Sequence, residues 1–194
     1  MSPRLLNFTE KLKSISSGIA TEENCFQHYV KNLEAPHSIL HCGAHLGEEY
    51  LEYRLAGVVD VFWNEAQPEC ISRLIYSFGE RNVFDGVVGK SDDLLVDFYK
   101  TNNSKSSTTL KIKEGNSWGI ESLSPTKLRS ITIDKILSRI FLRSRRIPTL
   151  LILDLQGGEY EALLGAKKAL EYNLDIICEV SDFELYVGQK RSEE

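Results

Sequence analysis

At 194 residues the chain is long enough for one core that buries roughly 70% of the surface an unfolded chain exposes. Hydrophobic residues make up 42% and charged residues 26%, which excludes disordered and fibrous classes. The 23 Lys and Arg against 28 Asp and Glu give a net charge of -5, and that balance speaks against a broad electrostatic grip on nucleic acid.

Two amphipathic segments open the chain, Leu5 to Ile15 and Glu22 to Leu33, and predict a helical lead-in or lid over residues 1–36. From residue 37 the pattern alternates. SILHCG reads as a strand, Glu48 to Ala56 as a helix, VVDVFWNEA as a strand, Pro68 to Phe78 as a helix and NVFDGVV as a strand. Such alternation predicts an α/β domain over 37–194 with a mostly parallel sheet and helices on both faces.

A strand at Leu94–Tyr99 precedes TNNSKSSTTL and KIKEGNSWGIESLSPTK, polar stretches that predict a long loop over the site. LRSITIDKIL then runs from a strand into a helix with Asp134 as its expected cap. TLLILDL has the unbroken apolar character of a strand buried on both faces. A Gly157–Gly158 turn leads into EYEALLGAKKAL, a helical pattern, and Leu174 to Val180 reads as the last strand.

Arg139, Arg143, Arg145 and Arg146 cluster before TLLILDL, where they read as a helix C-terminus rather than a phosphate-binding patch. The cysteines at 25, 42, 70 and 178 form no CxxC pair and read as reduced core residues. No apolar run approaches the roughly 18 residues of a membrane span, and the start lacks a signal-peptide apolar region, so the cytoplasm is the expected compartment.

The sharpest local pattern is ILHCGAHLGEEYLEY, a strand meeting a turn of Gly43, Ala44 and Gly47 before a helix. Glycine there permits positive φ and close approach of a ligand, while the helix start offers unpaired N–H groups. About twenty residues on, Glu65 ends the next strand, where a carboxylate can accept ribose hydroxyls. His45 stands where a dinucleotide fingerprint requires glycine for the pyrophosphate. A phosphate-free nucleoside such as S-adenosylmethionine is therefore the expected ligand. His41, Cys42 and His45 do not read as a metal site, because 41 and 42 point to opposite faces of a strand.

Over roughly Ser38 to Gly188 the chain resembles the FkbM-type methyltransferases. ILHCGAHLGEE is similar to their glycine-rich motif, with His41 in place of a common Asp, and WNEAQPE to their ribose-binding segment. NVFDGVVG is similar to the third-strand region near the adenine, and SITIDKIL to the segment before the fourth strand. LLILDLQGGEYEALLGAKKAL followed by DIICEV follows the pattern D-x-[EQ]-G-x-E-x-x-x-L-x-G-A and the downstream E-V. The resemblance implies a Rossmann-like class I methyltransferase sheet and S-adenosyl-L-methionine as cofactor. It implies an acceptor that is a small molecule, usually a sugar or another metabolite methylated on a hydroxyl. It puts the cofactor beside His41, Gly43, Ala44, Gly47, Glu65, Ala66 and Asp85. Two departures accompany His41: Leu153 where members often carry Lys, and a chain end where antiparallel strands normally complete the sheet.

Methyl transfer to oxygen asks a protein to align the acceptor, exclude water and take one proton. Asp154, at the end of TLLILDL, is the first candidate for base or acceptor-orienting group, with a helix cap as its alternative. Glu159 is a candidate for orienting the acceptor or stabilising the helix start, Glu179 a weaker one of the same kind, and His45 an alternative base. Trp63 reads as core and Trp118, in the polar loop, as a stacking surface. The departures keep a non-catalytic module of the same fold as the second reading, and a nicotinamide-dependent enzyme as a third. The acceptor and the oligomeric state are not legible.

Overall fold

The fold is built outward from a strand that is buried along its whole length. In a computed structural model, described over residues 5–6, 26–27, 29–30, 36–114, 119–172, 174–181 and 184–190, the elements follow the alternation of the sequence. They are β1 (Leu5–Leu6), β2 (Ser38–Cys42), α1 (Tyr50–Leu55), β3 (Asp60–Glu65), α2 (Pro68–Phe78), β4 (Val83–Asp85) and β5 (Val87–Val88). Then come β6 (Leu95–Phe98), β7 (Thr126–Ile131), α3 (Ile133–Ser144), β8 (Leu150–Leu153), α4 (Glu159–Leu164) and β9 (Asp175–Cys178).

The main sheet runs β1-β9-β8-β2-β3-β4, and each neighbouring pair is parallel. The chain turns at Gly86, whose φ of 125° suits glycine, and enters a smaller sheet β5-β7-β6. There β5 and β7 are parallel and β6 and β7 antiparallel. The edge of β9 carries Leu5–Leu6 as a parallel partner. Phe26, Gln27, Tyr29 and Val30 are helical, and Tyr29 donates to the Asp175 carboxylate at 2.8 Å. The rest of the expected lead-in lies outside the described residues.

Parallel strands covered on both faces bury consecutive side chains, and the core divides by the two-residue period of the strands. Leu40, Cys42, Leu151 and Leu153 face α3 and α4, packing on Ile133, Ile136, Ile140 and Ala162. Ile39, Trp63, Leu150 and Ile152 face the other side, with Tyr53 of α1 and Leu74 of α2. Helices therefore cover both faces of the sheet. Strand order reverses at β2, which lies between β3 and β8. Open α/β sheets bind ligands at such a switch point, outside the carboxyl ends of the strands.

Several local details differ from expectation, first among them Leu5–Leu6, a strand hydrogen-bonded along the edge of β9 where the pattern predicts an amphipathic helix. The cap of α3 is Thr132, whose hydroxyl accepts the Lys135 N–H at 3.1 Å, while the Asp134 carboxylate takes the N–H groups of Lys168 and Ala169. The helical pattern expected over EYEALLGAKKAL divides into α4, which ends at Leu164, and a 3-10 turn at Ala169–Glu171; between them Gly165 lies so close to Gly89 that a Cβ would lie 2.2 Å from its carbonyl oxygen. The arginines at the end of α3 make local contacts: Arg143 stacks 4.9 Å from the Phe84 ring and donates to the Arg81 carbonyl, and Arg146 faces Asp60. Cys42, Cys70 and Cys178 are free thiols. Among the described residues no helix is long and apolar enough to cross a membrane.

Candidate active site

The glycine turn begins where β2 ends, and the neighbouring strand shapes it. The carbonyl oxygen of Asn64 accepts the N–H groups of Gly43 at 3.1 Å and Ala44 at 3.0 Å. The Asn64 side chain is itself tied to the carbonyls of Phe84 and Gly86. Gly43 has φ 85°, and a Cβ there would lie 1.7 Å from the Asp154 carbonyl oxygen. The glycine is thus demanded by the end of β8 packing across the turn. Gly47, with φ 72°, is demanded by α2, because a Cβ would meet the Phe78 ring at 2.7 Å.

Glu65, at the end of β3, is 5% exposed and organises the same turn. One carboxylate oxygen accepts the His45 N–H at 2.7 Å, and the other accepts those of Ala66 at 2.7 Å and Gln67 at 2.8 Å. Burial pushes its carboxyl above the ordinary range, opposed by these three donors. The acid that was expected to meet a ribose therefore also clamps the backbone of the turn.

A cleft opens at the switch point, lined by Gly43, His45, Glu65, Ala66, Asp154, Gln156 and Gly158, with Val87, Val88, Phe98 and Leu155 as apolar wall. It holds about 500 Å³ of space, part of it open to solvent. Ser104, Lys105, Ser107, Thr108 and Thr109 line its other side. These residues belong to the polar loop, which bridges Tyr99 to Thr108, Thr101 to Ser122 and Ile112 to Tyr186. The ring nitrogens of His45 each make a 2.9 Å contact, Nδ1 to Glu48 and Nε2 to the Ser104 hydroxyl. Burial alone would raise the Glu48 carboxyl, but hydrogen bonds from His45, its own backbone and Lys105 bring it down to about 2. Gln67 donates to the Ser104 carbonyl at 3.1 Å.

Beyond the carboxyl end of β8, the Gln156 side-chain nitrogen donates to Asp154 at 2.6 Å and to Glu179 at 3.1 Å. Glu159 is buried, accepts the Leu155 N–H at 2.6 Å, and has its carboxyl raised to about 7 by burial against several backbone donors. Asp154, Glu159 and Glu179 each bring a carboxylate oxygen within 4.8 Å of the others, an arrangement with the donor chemistry of a cation ligand set.

Of the residues singled out in the sequence, Gly43, His45, Glu65, Ala66 and Asp154 come together in the cleft. Ala44 and Gly47 are built into the turn behind it, and Glu159 supports the turn after β8 from beneath. Asp85 is exposed on the far side of Glu65. His41 is buried under α1, where Nδ1 meets the Tyr53 hydroxyl at 3.0 Å. Trp63 is fully buried among Tyr50, Tyr53 and Phe78, and Trp118 lies outside the described residues. Sequence reasoning passed over Gln67, Gln156, Tyr186 and the loop hydroxyls. Signals were present for three of these: Gln67 lies in WNEAQPE, the hydroxyls lie in the polar stretch expected to cover the site, and Gln156 occupies the [EQ] place of the D-x-[EQ]-G-x-E pattern, whereas Tyr186 lies outside these motifs.

A parallel sheet reversing at β2, with helices on both faces and a buried acid ending the second of its paired strands, is a Rossmann-like methyltransferase fold. A family model described as Methyltransferase FkbM domain matches residues 41–193, and the chain belongs to that family. No curated protein and no solved structure matches the chain significantly.

Proposed function

We propose that the protein is an S-adenosylmethionine-dependent O-methyltransferase acting on a hydroxyl of a sugar or other small metabolite. The observation that carries this is the acid at the switch point: Glu65 spends three acceptor sites on backbone donors. A carboxylate has about four such sites, which leaves one facing the cleft for a hydroxyl hydrogen.

The residues present fit a nucleoside without phosphates. Among the described residues, Lys105 is the one Lys or Arg in the cleft lining, and it is paired with Glu48 at 3.1 Å. Val87, Val88, Phe98 and Leu155 supply apolar surface for a base. S-adenosylmethionine would be held by the turn at Gly43 and by Glu65 and Ala66, and would supply an electrophilic sulfonium methyl to the acceptor oxygen, its sulfur leaving as the neutral thioether. Asp154 takes the proton of the acceptor hydroxyl and later returns it to water. Glu159 holds the turn that aims Asp154, and His45 holds the cover that keeps water out. The hydroxyl-rich cover of Ser104, Ser107, Thr108 and Thr109 suits a polyhydroxylated acceptor.

The test combines titration calorimetry of S-adenosylmethionine and S-adenosylhomocysteine with transfer of labelled methyl groups to a panel of sugars and sugar acids. Binding together with transfer that Asp154→Asn abolishes is expected. A folded chain that binds neither compound overturns the reading, and one that binds both but methylates nothing on the panel leaves it a binding module.

A further inference from the structure

The face of the sheet covered by α3 and α4 carries a second concavity, which shares no lining residue with the cleft at the switch point. It opens between α3, the end of α4 and the 3-10 turn at Ala169–Glu171, and holds about 1480 Å³ of space, part of it open to solvent. Leu137, which is buried, and Ile147, which is half-buried, form its floor. Phe141, Leu164 and Tyr172 complete the apolar lining and remain 44%, 38% and 43% exposed. Large apolar side chains left in water and grouped in one concavity mark an interaction site, unlike the same residues scattered singly.

Four lysines and two aspartates share the lining, an excess of positive charge on a chain whose net charge is -5. Lys90 is paired with Glu161 at 3.0 Å and Lys135 with Asp93 at 2.7 Å. The Asp92 carboxylate accepts the Thr132 N–H, and that of Asp134 accepts the N–H groups of Lys168 and Ala169, so both acids are occupied by backbone donors. Lys167 and Lys168 are exposed, and among the described residues neither side chain has a carboxylate partner. The groove thus offers apolar surface beside two ammonium groups that no carboxylate pairs.

Size and shape select among the occupants this chemistry would accept. Small-molecule sites are clefts of about 300–1,000 Å³ that enclose most of their ligand, and this groove is larger and open. A bilayer surface is flat on this scale and leaves a concavity unfilled. An α-helix is about 10–12 Å across, and an amphipathic one lays its apolar stripe in a groove while its polar flanks stay at the rim. Acidic residues on such a flank meet Lys167 and Lys168.

We propose that the groove between α3 and α4 is a docking site for an acidic amphipathic helix of a partner protein. The apolar side of that helix packs on Phe141, Leu164 and Tyr172, and its carboxylates pair with Lys167 and Lys168. The inference is independent of methyl transfer, since none of these residues lines the cleft. Apolar contact supplies the affinity, and the two lysines fix orientation and discriminate against basic helices.

Fluorescence anisotropy on the full chain tests this with two labelled peptides of about 16 residues, long enough to form a helix in water. One carries leucines at helical spacing with glutamates elsewhere, and the other has lysines in place of the glutamates. The acidic peptide is expected to bind at least about tenfold more tightly than the basic one, and to weaken as salt rises. The double substitution Lys167→Glu, Lys168→Glu weakens its binding at least about tenfold, and Phe141→Ser weakens it several-fold. Arg73→Glu, exposed on α2 across the sheet, leaves it unchanged. Hydrogen exchange is expected to slow over residues 133–144 and 164–172 when the acidic peptide is bound. No preference for the acidic peptide, or a preference that the double variant retains, overturns the proposal. So does flotation with phosphatidylserine vesicles, or a dimer in sedimentation velocity, that the double variant loses while no peptide binds; the first assigns the groove to a lipid surface and the second to another copy of the chain.

Discussion

The carbonyl oxygen of Asp154 occupies the place where a side chain on Gly43 would begin, with 1.7 Å between it and an ideal Cβ. The glycine turn and the end of β8 are therefore packed against each other directly. Any change at Gly43 moves Asp154.

Gly43→Ala is expected to destabilise the fold by at least about 2 kcal/mol, from positive φ and from overpacking of the β8 terminus together. Urea denaturation checks this. A loss below about 0.5 kcal/mol would mean that the turn relaxes freely and that its glycine is not required by packing.

Removing the Glu65 carboxylate orphans three backbone donors and takes away the remaining acceptor site. Glu65→Gln keeps one oxygen but sets an NH₂ against N–H groups that need an acceptor. Its affinity for S-adenosylhomocysteine is expected to fall at least about tenfold by calorimetry, an effect of about 1.4 kcal/mol. Equal affinity in the two proteins would remove Glu65 from the ligand site.

Glu159 makes stability depend on pH in a definite direction. Folded, it keeps its proton up to about pH 7 against an ordinary value of 4.5, so between these values the native form binds more protons than the unfolded one. Its contribution to stability therefore falls as pH rises from about 4.5 to about 7 and is level above. Glu159→Gln removes this penalty while keeping an acceptor for the Leu155 N–H. Its stability is expected to stay level from pH 4 to pH 8, over which wild type loses on the order of 3 kcal/mol relative to it. Parallel stability curves for the two proteins would contradict the raised carboxyl.

His45 bonded to Ser104 closes the cover with exposed or half-buried groups, so its contribution is local. His45→Ala is expected to lower hydrogen-exchange protection over residues 99–109 several-fold while global stability changes by less than about 1 kcal/mol. Unchanged protection would show that Gln67 and Thr108 hold the cover without it.

The alternation of strand and helix, the buried apolar character of TLLILDL, the glycine turn and the acid about twenty residues on are local properties. Each is written in a stretch of chain short enough to read, so the α/β layering and the pairing of Gly43 with Glu65 were legible from sequence. The roles inside that frame were not, because they depend on which groups from distant segments meet. His41 looks like a strand-end ligand until alternation along β2 turns it beneath α1 to Tyr53. That Gly43 is also required by packing is invisible until the end of β8, more than a hundred residues away, is seen to fill the place of its Cβ. Gln156 and Tyr186 carry no signal of acting together, since their contact exists only once the cover has folded over the carboxyl ends of the strands. Backbone periodicity determined the scaffold. Long-range packing and hydrogen bonding decided which side chains face the cleft.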